Sequence, residues 1–158
     1  MLFIQHELQR TAQNLVADNI KNDEHVLIVS SSDQSKELID AIVSAASSTS
    51  AASVSAIIIA CPEDLKDYKH PAPVIASVKS ADLTIVATTL RFPRAYDDLS
   101  EALFKAGKRQ VLINNAPLED FTRGASLADP IELNRRTHAL AGKISEGKVV
   151  RVKSEHGT

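Results

Sequence analysis

The sequence has 158 residues, 44% hydrophobic and 24% charged, the size and balance of one globular domain able to bury a substantial core. Its formal net charge of -2 offers no basic field for a nucleic-acid backbone, and 4% aromatic residues without Trp offer little base-stacking surface. One cysteine, Cys61, excludes an intrachain disulfide framework and a multi-cysteine zinc site, and no apolar run reaches the length of a membrane span. The apolar start Met1–Ile4 soon meets Glu7 and Arg10 and so lacks a signal-peptide core. A cytoplasmic protein with neither nucleic-acid nor membrane partners is expected.

Ile4, Leu8, Thr11, Ala12, Leu15 and Ile20 recur at helical spacing and predict an amphipathic first helix, broken at Asn22-Asp23. Val26-Leu27-Ile28-Val29 is a short, continuous, β-branched run, suited to a strand covered on both faces of a parallel sheet. Ser30-Ser31-Ser32-Asp33 supplies helix-cap chemistry, and Leu38, Ile39, Ile42, Val43 and Ala46 mark the next helix. The Ser/Ala-rich stretch from Ser44 to Ala56 reads as a fraying helix end and a connection, because the elements it joins are too close for an interdomain linker.

The pattern repeats with a second buried strand expected at Ser55–Ala60, a short helix from Val74 to Ser80 and a third strand at Leu83–Ala87. A further helix carries Tyr96, Leu99, Leu103 and Ala106 on one face and stops at Gly107. Val111-Leu112-Ile113 is a fourth strand. Asp129-Pro130-Ile131-Glu132 is a helix start, with Asp at the cap, Pro first and Glu third. That helix presents Leu133, Thr137, Leu140, Ala141 and Ile144, ends near Gly147, and leads to a fifth strand at Val149, Val150 and Val152. Alternating strands and helices imply right-handed crossovers. The expected fold is an α/β three-layer sandwich with a mostly parallel five-stranded sheet, flavodoxin- or Rossmann-like, forming a single domain over residues 1–158; strand order is not readable.

Ligands of doubly wound sheets bind beyond the carboxyl ends of strands. Ser31 and Ser32, Thr88 and Thr89, Arg91, and Asn114 occupy those places and are the candidate ligand-binding residues. Arg91 is the best placed for an anion. The same residue types cap helices and form turns, and that is their expected role here. Serines replace the glycines of a dinucleotide loop after the first strand, and no phosphate-binding loop ending in Lys-Ser/Thr occurs.

His6, His25, His70, His138 and His156 show neither i, i+4 spacing nor a His-x-His, and an isolated histidine specifies no coordination set. Cys61 closes an apolar strand with no identifiable base, so it reads as a packed small hydrophobe. No catalytic residue and no metal ligand is assigned.

Three segments carry a resemblance. Asp23–Val29, Ser80–Val86 and Lys148–Thr158, the last closing with Ser154-Glu155-His156-Gly157-Thr158 as Ser-x-x-Gly-Thr, resemble the N-terminal domain of a family of two-domain metal enzymes. That family includes thermophilic leucyl-type metallo-aminopeptidases and iron-dependent dihydroxypyridine ring-cleaving dioxygenases. The resemblance covers most of the chain in element order. It implies a non-catalytic domain of a longer hydrolase or oxygenase, truncated before the following domain. There the divalent metal and its Glu, His and Asp ligands lie, so no cofactor is implied in this chain. The implied partners are the C-terminal catalytic domain and, in an oligomer, further copies. A self-sufficient small-molecule-binding domain and a protein-interaction module are the alternatives.

Overall fold

Val26–Val29 and Leu83–Ala87 become the two central strands of the sheet, flanked by two further strands and covered by helices on both faces. The computed structural model describes residues 2–61, 68–89, 97–114, 117–155 and 157. In chain order these form α1 (Leu2–Ala17), β1 (His25–Ser31), α2 (Lys36–Ser47), β2 (Ser53–Ile59), α3 (Ala72–Ser80), β3 (Leu83–Thr88), α4 (Asp98–Lys105), β4 (Arg109–Asn114) and α5 (Pro130–Glu146). Two short 3-10 turns, Leu118–Phe121 and Gly124–Leu127, precede α5. The strands pair in the order β2-β1-β3-β4, all parallel. That is the flavodoxin-like order as far as four strands carry it.

Successive strand side chains point to opposite faces, so the sheet feeds two cores. On one face Val26, Ile28, Leu83, Ile85, Ala87 and Ile113 pack with Leu8, Ala12 and Val16 of α1 and Leu38, Ile39, Ile42 and Ala45 of α2. On the other, Leu27, Val29, Ile59 and Val86 meet Val74 and Val78 of α3 and Leu99, Ala102 and Leu103 of α4. Every β3 residue, and every β1 residue after His25, is buried.

Helix ends follow the residues expected of them. Ser35 caps α2 by accepting from Leu38 N, and Asp97 caps α4 by accepting from Ser100 N. Leu99 and Leu103 are buried as the periodicity predicts, while Tyr96 lies outside the described residues. Gly107 follows α4 at φ 65, the left-handed conformation glycine adopts at least cost.

The amino ends of the central strands are tied by Asp82. Its carboxylate accepts from His25 N at 3.0 Å and from Lys108 Nζ at 3.0 Å, and its own N–H donates to His25 O at 2.9 Å. Arg109 adds an ion pair to Glu24 and donates to Asn19 O at 2.8 Å. Two of the segments that carry the resemblance, Asp23–Val29 and Ser80–Val86, therefore meet at this end of the sheet.

The chain divides into two units, residues 1–127 and 128–158. In the second, Asp129 caps α5 by accepting from Ile131 N, Pro130 occupies the first turn, and Gly147 ends the helix. The expected fifth strand is corrected: among the described residues the sheet has four strands, and Val149, Val150 and Val152 are exposed and join none. β-branched residues favour extended backbone, but a strand forms only where a neighbour accepts its hydrogen bonds.

Thr84 is fully buried in β3, and its Oγ1 has no hydrogen-bond partner. Thr84→Val, which removes an unmet hydroxyl at equal volume, is expected to raise stability by about 1 kcal/mol. Ile28→Ala, which opens a cavity beneath α1 and α2, is expected to lower it by about 2–5 kcal/mol. Urea unfolding measures both; destabilisation by Thr84→Val would show that the hydroxyl has a partner.

Candidate functional site

β1 leads into α2 on one face of the sheet and β3 leads towards α4 on the other, so the chain diverges between two adjacent strands. That divergence opens a crevice at the carboxyl ends of β1 and β3, the place where α/β sheets bind ligands. Ser31, Ser32 and Thr89, three residues singled out from the sequence, come together there.

The crevice is closed by its own hydrogen bonds. Ser30 Oγ, fully buried, donates to Ala87 O at 2.8 Å and ties the two strand ends. Ser31 Oγ accepts from Thr89 N at 3.2 Å and lies 3.3 Å from Thr89 Oγ1. Thr89 Oγ1 donates to Asp33 Oδ2 at 2.5 Å, and Ser32 Oγ accepts from Cys61 N at 3.1 Å. Asp33 and Cys61 thus join the set. Asp33 was legible only as cap chemistry, because its partner lies 56 positions away.

The Thr89 hydroxyl, then the Ser31 hydroxyl, hold the Asp33 carboxyl below its usual range. Desolvation, then the hydrogen bond and charge of Asp33, push the Cys61 thiol up. A raised thiol is mostly protonated at neutral pH and is a poor nucleophile. Thr88 is buried at the end of β3, and its backbone partner in β4 is Asn114. Arg91 lies outside the described residues.

Beside the crevice is a cleft of about 340 Å³ lined by Ser31, Ser32, Gln34, Lys36, Asp40 and Ile58, among others. Gln34 Oε1 accepts from Ser35 N, whereas the buried Gln34 Nε2 has no partner. Lys36 and Asp40 are paired across one helical turn at 2.5 Å.

A second cluster was not legible in the sequence. His70, whose side chain is 3% exposed, places Nδ1 2.6 Å from Asp98 Oδ1, and His70 N donates to Asp98 Oδ2 at 3.1 Å. The two residues are 28 positions apart, before α3 and at the start of α4. Tyr68 stacks edge-on against the imidazole at 5.3 Å, and desolvation, then the charge of Asp98, raise its hydroxyl above the usual range. Asp97 brings a third donor, all three within 4.8 Å of one another.

As placed, His70 Nδ1 and Asp98 Oδ1 are set as a hydrogen-bonded pair rather than as two ligands of one ion. Ligands about 2.0–2.2 Å from one ion, at right angles or wider, stand roughly 3 Å apart or more. His70 Nδ1 and Asp98 Oδ1 are closer than that, at a hydrogen-bonding distance. Asp97 is already committed to Ser100, accepting from its N at 3.1 Å and from its hydroxyl. The cluster is a clamp between two helix starts, and no metal-dependent step is derived from it.

Asp33 sets a pH dependence with a definite sign. A carboxyl whose folded pKa is depressed contributes stability above its unfolded pKa, about 3.9, and loses it as pH falls through the lower folded value. Asp33→Asn is therefore expected to flatten the fall of the urea midpoint as pH drops below the unfolded carboxyl's pKa of about 3.9. Thr89→Val, which removes the largest cause of the shift, is expected to do the same in part. Unchanged acid slopes in both variants would show that Asp33 is not held by this network.

No curated protein matches the sequence. Among solved structures, the 2,5-dihydroxypyridine dioxygenase of Pseudomonas putida is similar, with a TM-score of 0.55 and 15% identity over 73% of this chain. At that identity the likeness is one of fold, and the chain spans 35% of that protein's length. The family model described as NicX, 2,5-dihydroxypyridine 5,6-dioxygenase, matches residues 7–158. The chain belongs to the NicX family.

Proposed function

We propose that this chain is a non-catalytic α/β domain of a longer, metal-dependent ring-cleaving dioxygenase, with substrate and metal held by a part of the enzyme beyond these residues. The observation that carries the reading is the crevice at the ends of β1 and β3. Ser31 and Asp33 bond to Thr89 across the gap, and Ser32 bonds to Cys61 N beyond β2, so among the described residues these polar groups are spent on the domain itself. Two further facts support it. The His70 cluster is arranged as a hydrogen-bonded clamp, and the match covers 35% of the dioxygenase it resembles. The family's described activity favours ring cleavage over peptide hydrolysis as the chemistry of the whole enzyme.

A second reading rests on the cleft beside α2, where the unpartnered Gln34 amide nitrogen leaves a donor for a small polar ligand. Ligand binding to the native state raises apparent stability, so a thermal-shift screen separates the two readings. No shift is expected with nucleotides, flavins, sugar phosphates or 2,5-dihydroxypyridine; a saturable shift lost in Gln34→Ala would favour the binding domain.

The main reading is tested by incubating the chain with ferrous iron, oxygen and 2,5-dihydroxypyridine and following loss of the ring's absorbance. No turnover above the iron-only control is expected. Turnover proportional to protein and abolished by His70→Ala would overturn it and make the clamp a catalytic centre.

A further inference from the structure

We propose that the cleft beside α2 holds a small aliphatic amino acid, bound as its zwitterion. The inference rests on the second reading above, in which that cleft takes a small polar ligand, and it names the ligand's chemistry. At about 340 Å³ the cleft lies at the small end of the range of ligand cavities, which limits the size of the occupant.

The cleft offers one charge of each sign. Lys36 and Asp40 line it, whereas the nearby carboxylates of Asp33 and Glu37 are committed to the hydroxyls of Thr89 and Ser35. The Lys36–Asp40 pair is exposed at both ends, so exchanging it for ligand contacts costs little. Two uncharged donors stand with the pair. Ser32 Oγ accepts from Cys61 N, which among the described residues leaves its own hydrogen to give. Gln34 Nε2 is buried without a partner. Gln34 Oε1 accepts from Ser35 N at 2.9 Å, and turning the amide round would set two N–H groups against each other, so the orphan is the nitrogen. An orphan donor calls for an acceptor, and the broad last torsion of a glutamine lets its nitrogen turn to one in the cleft. The apolar walls are Ile39 and Ile58, the latter 55% exposed.

These features together select a zwitterion. An anion alone leaves Asp40 unanswered, and a cation alone leaves Lys36 and both donors unanswered. A carboxylate meets Lys36, Ser32 and Gln34, an ammonium on the neighbouring carbon meets Asp40, and an aliphatic side chain covers Ile58. One small molecule then satisfies every group lining the cleft that the chain itself leaves open.

Calorimetric titration and thermal shift of the full chain with L-valine test the proposal. A saturable rise of the unfolding midpoint is expected, because a ligand of the native state stabilises it. Valinamide, which lacks the carboxylate, and isovalerate, which lacks the ammonium, are expected to bind about tenfold more weakly or worse, each having lost charge-assisted hydrogen bonds. Gln34→Ala and Asp40→Asn are each expected to remove the valine shift while circular dichroism stays unchanged. No binding of valine, or a valine shift that survives Asp40→Asn, would overturn the proposal. Equal binding of all three compounds, lost in Gln34→Ala, would overturn the amino acid and leave the cleft a binding site. No binding of any of them, with no shift from the classes screened above, would remove both.

Discussion

The burial of β1 and β3 on both faces is the constraint from which the rest of the first unit follows. A strand covered on both sides has no water to satisfy its polar groups, so each one inside must find a protein partner. The backbone does so through parallel pairing with both neighbours. The side chains are harder to satisfy. Ser30, Ser31, Thr84 and Thr88 all lie within these strands, each at most 2% exposed. Ser30 and Ser31 solve the problem by reaching across to the end of β3, and that solution builds the crevice. Thr84 has no such reach and remains unmet.

The two ends of the central strands are secured by different chemistry. At the amino end, charge does it: Asp82 takes His25 N and Lys108, and Arg109 takes Glu24. At the carboxyl end, where doubly wound sheets hold ligands, hydroxyls and one carboxylate do it. Among the described residues, Ser31, Asp33 and Thr89 already answer one another and leave little of themselves for a substrate. On the proposed reading that economy suits a domain that positions another part of the enzyme. Fold and family alone do not decide this, since one scaffold hosts many chemistries.

The sequence was legible where one physical signal decided the outcome. Continuous apolar runs marked all four strands, and Asp129-Pro130 marked the start of α5. The burial expected of the second strand is corrected: β3 and β1 beyond His25 are buried, whereas β2 lies at the edge with Ser53, Ser55, Ala56 and Ile58 exposed. The fifth strand failed because Val149, Val150 and Val152 carry the propensity of a strand without a neighbour to pair with. The site was half legible. Ser31, Ser32 and Thr89 were found by their position after strands, yet Asp33 as a partner of Thr89, and His70 as a partner of Asp98, depend on which strands and helices lie side by side. Strand order carries that information, and a single sequence does not disclose strand order.

Hydrogen exchange at the amides of Thr89 and Cys61 tests the self-closed crevice most directly. Both lie beyond the ends of strands, and their N–H groups donate to the Ser31 and Ser32 hydroxyls. The account predicts that Thr89 N–H and Cys61 N–H exchange far more slowly than exposed loop amides, and that Ser31→Ala releases Thr89 while β1 stays protected. Fast exchange at both positions in the native chain, with β1 still protected, would contradict it: the crevice would then be open, and its hydroxyls free to meet a ligand.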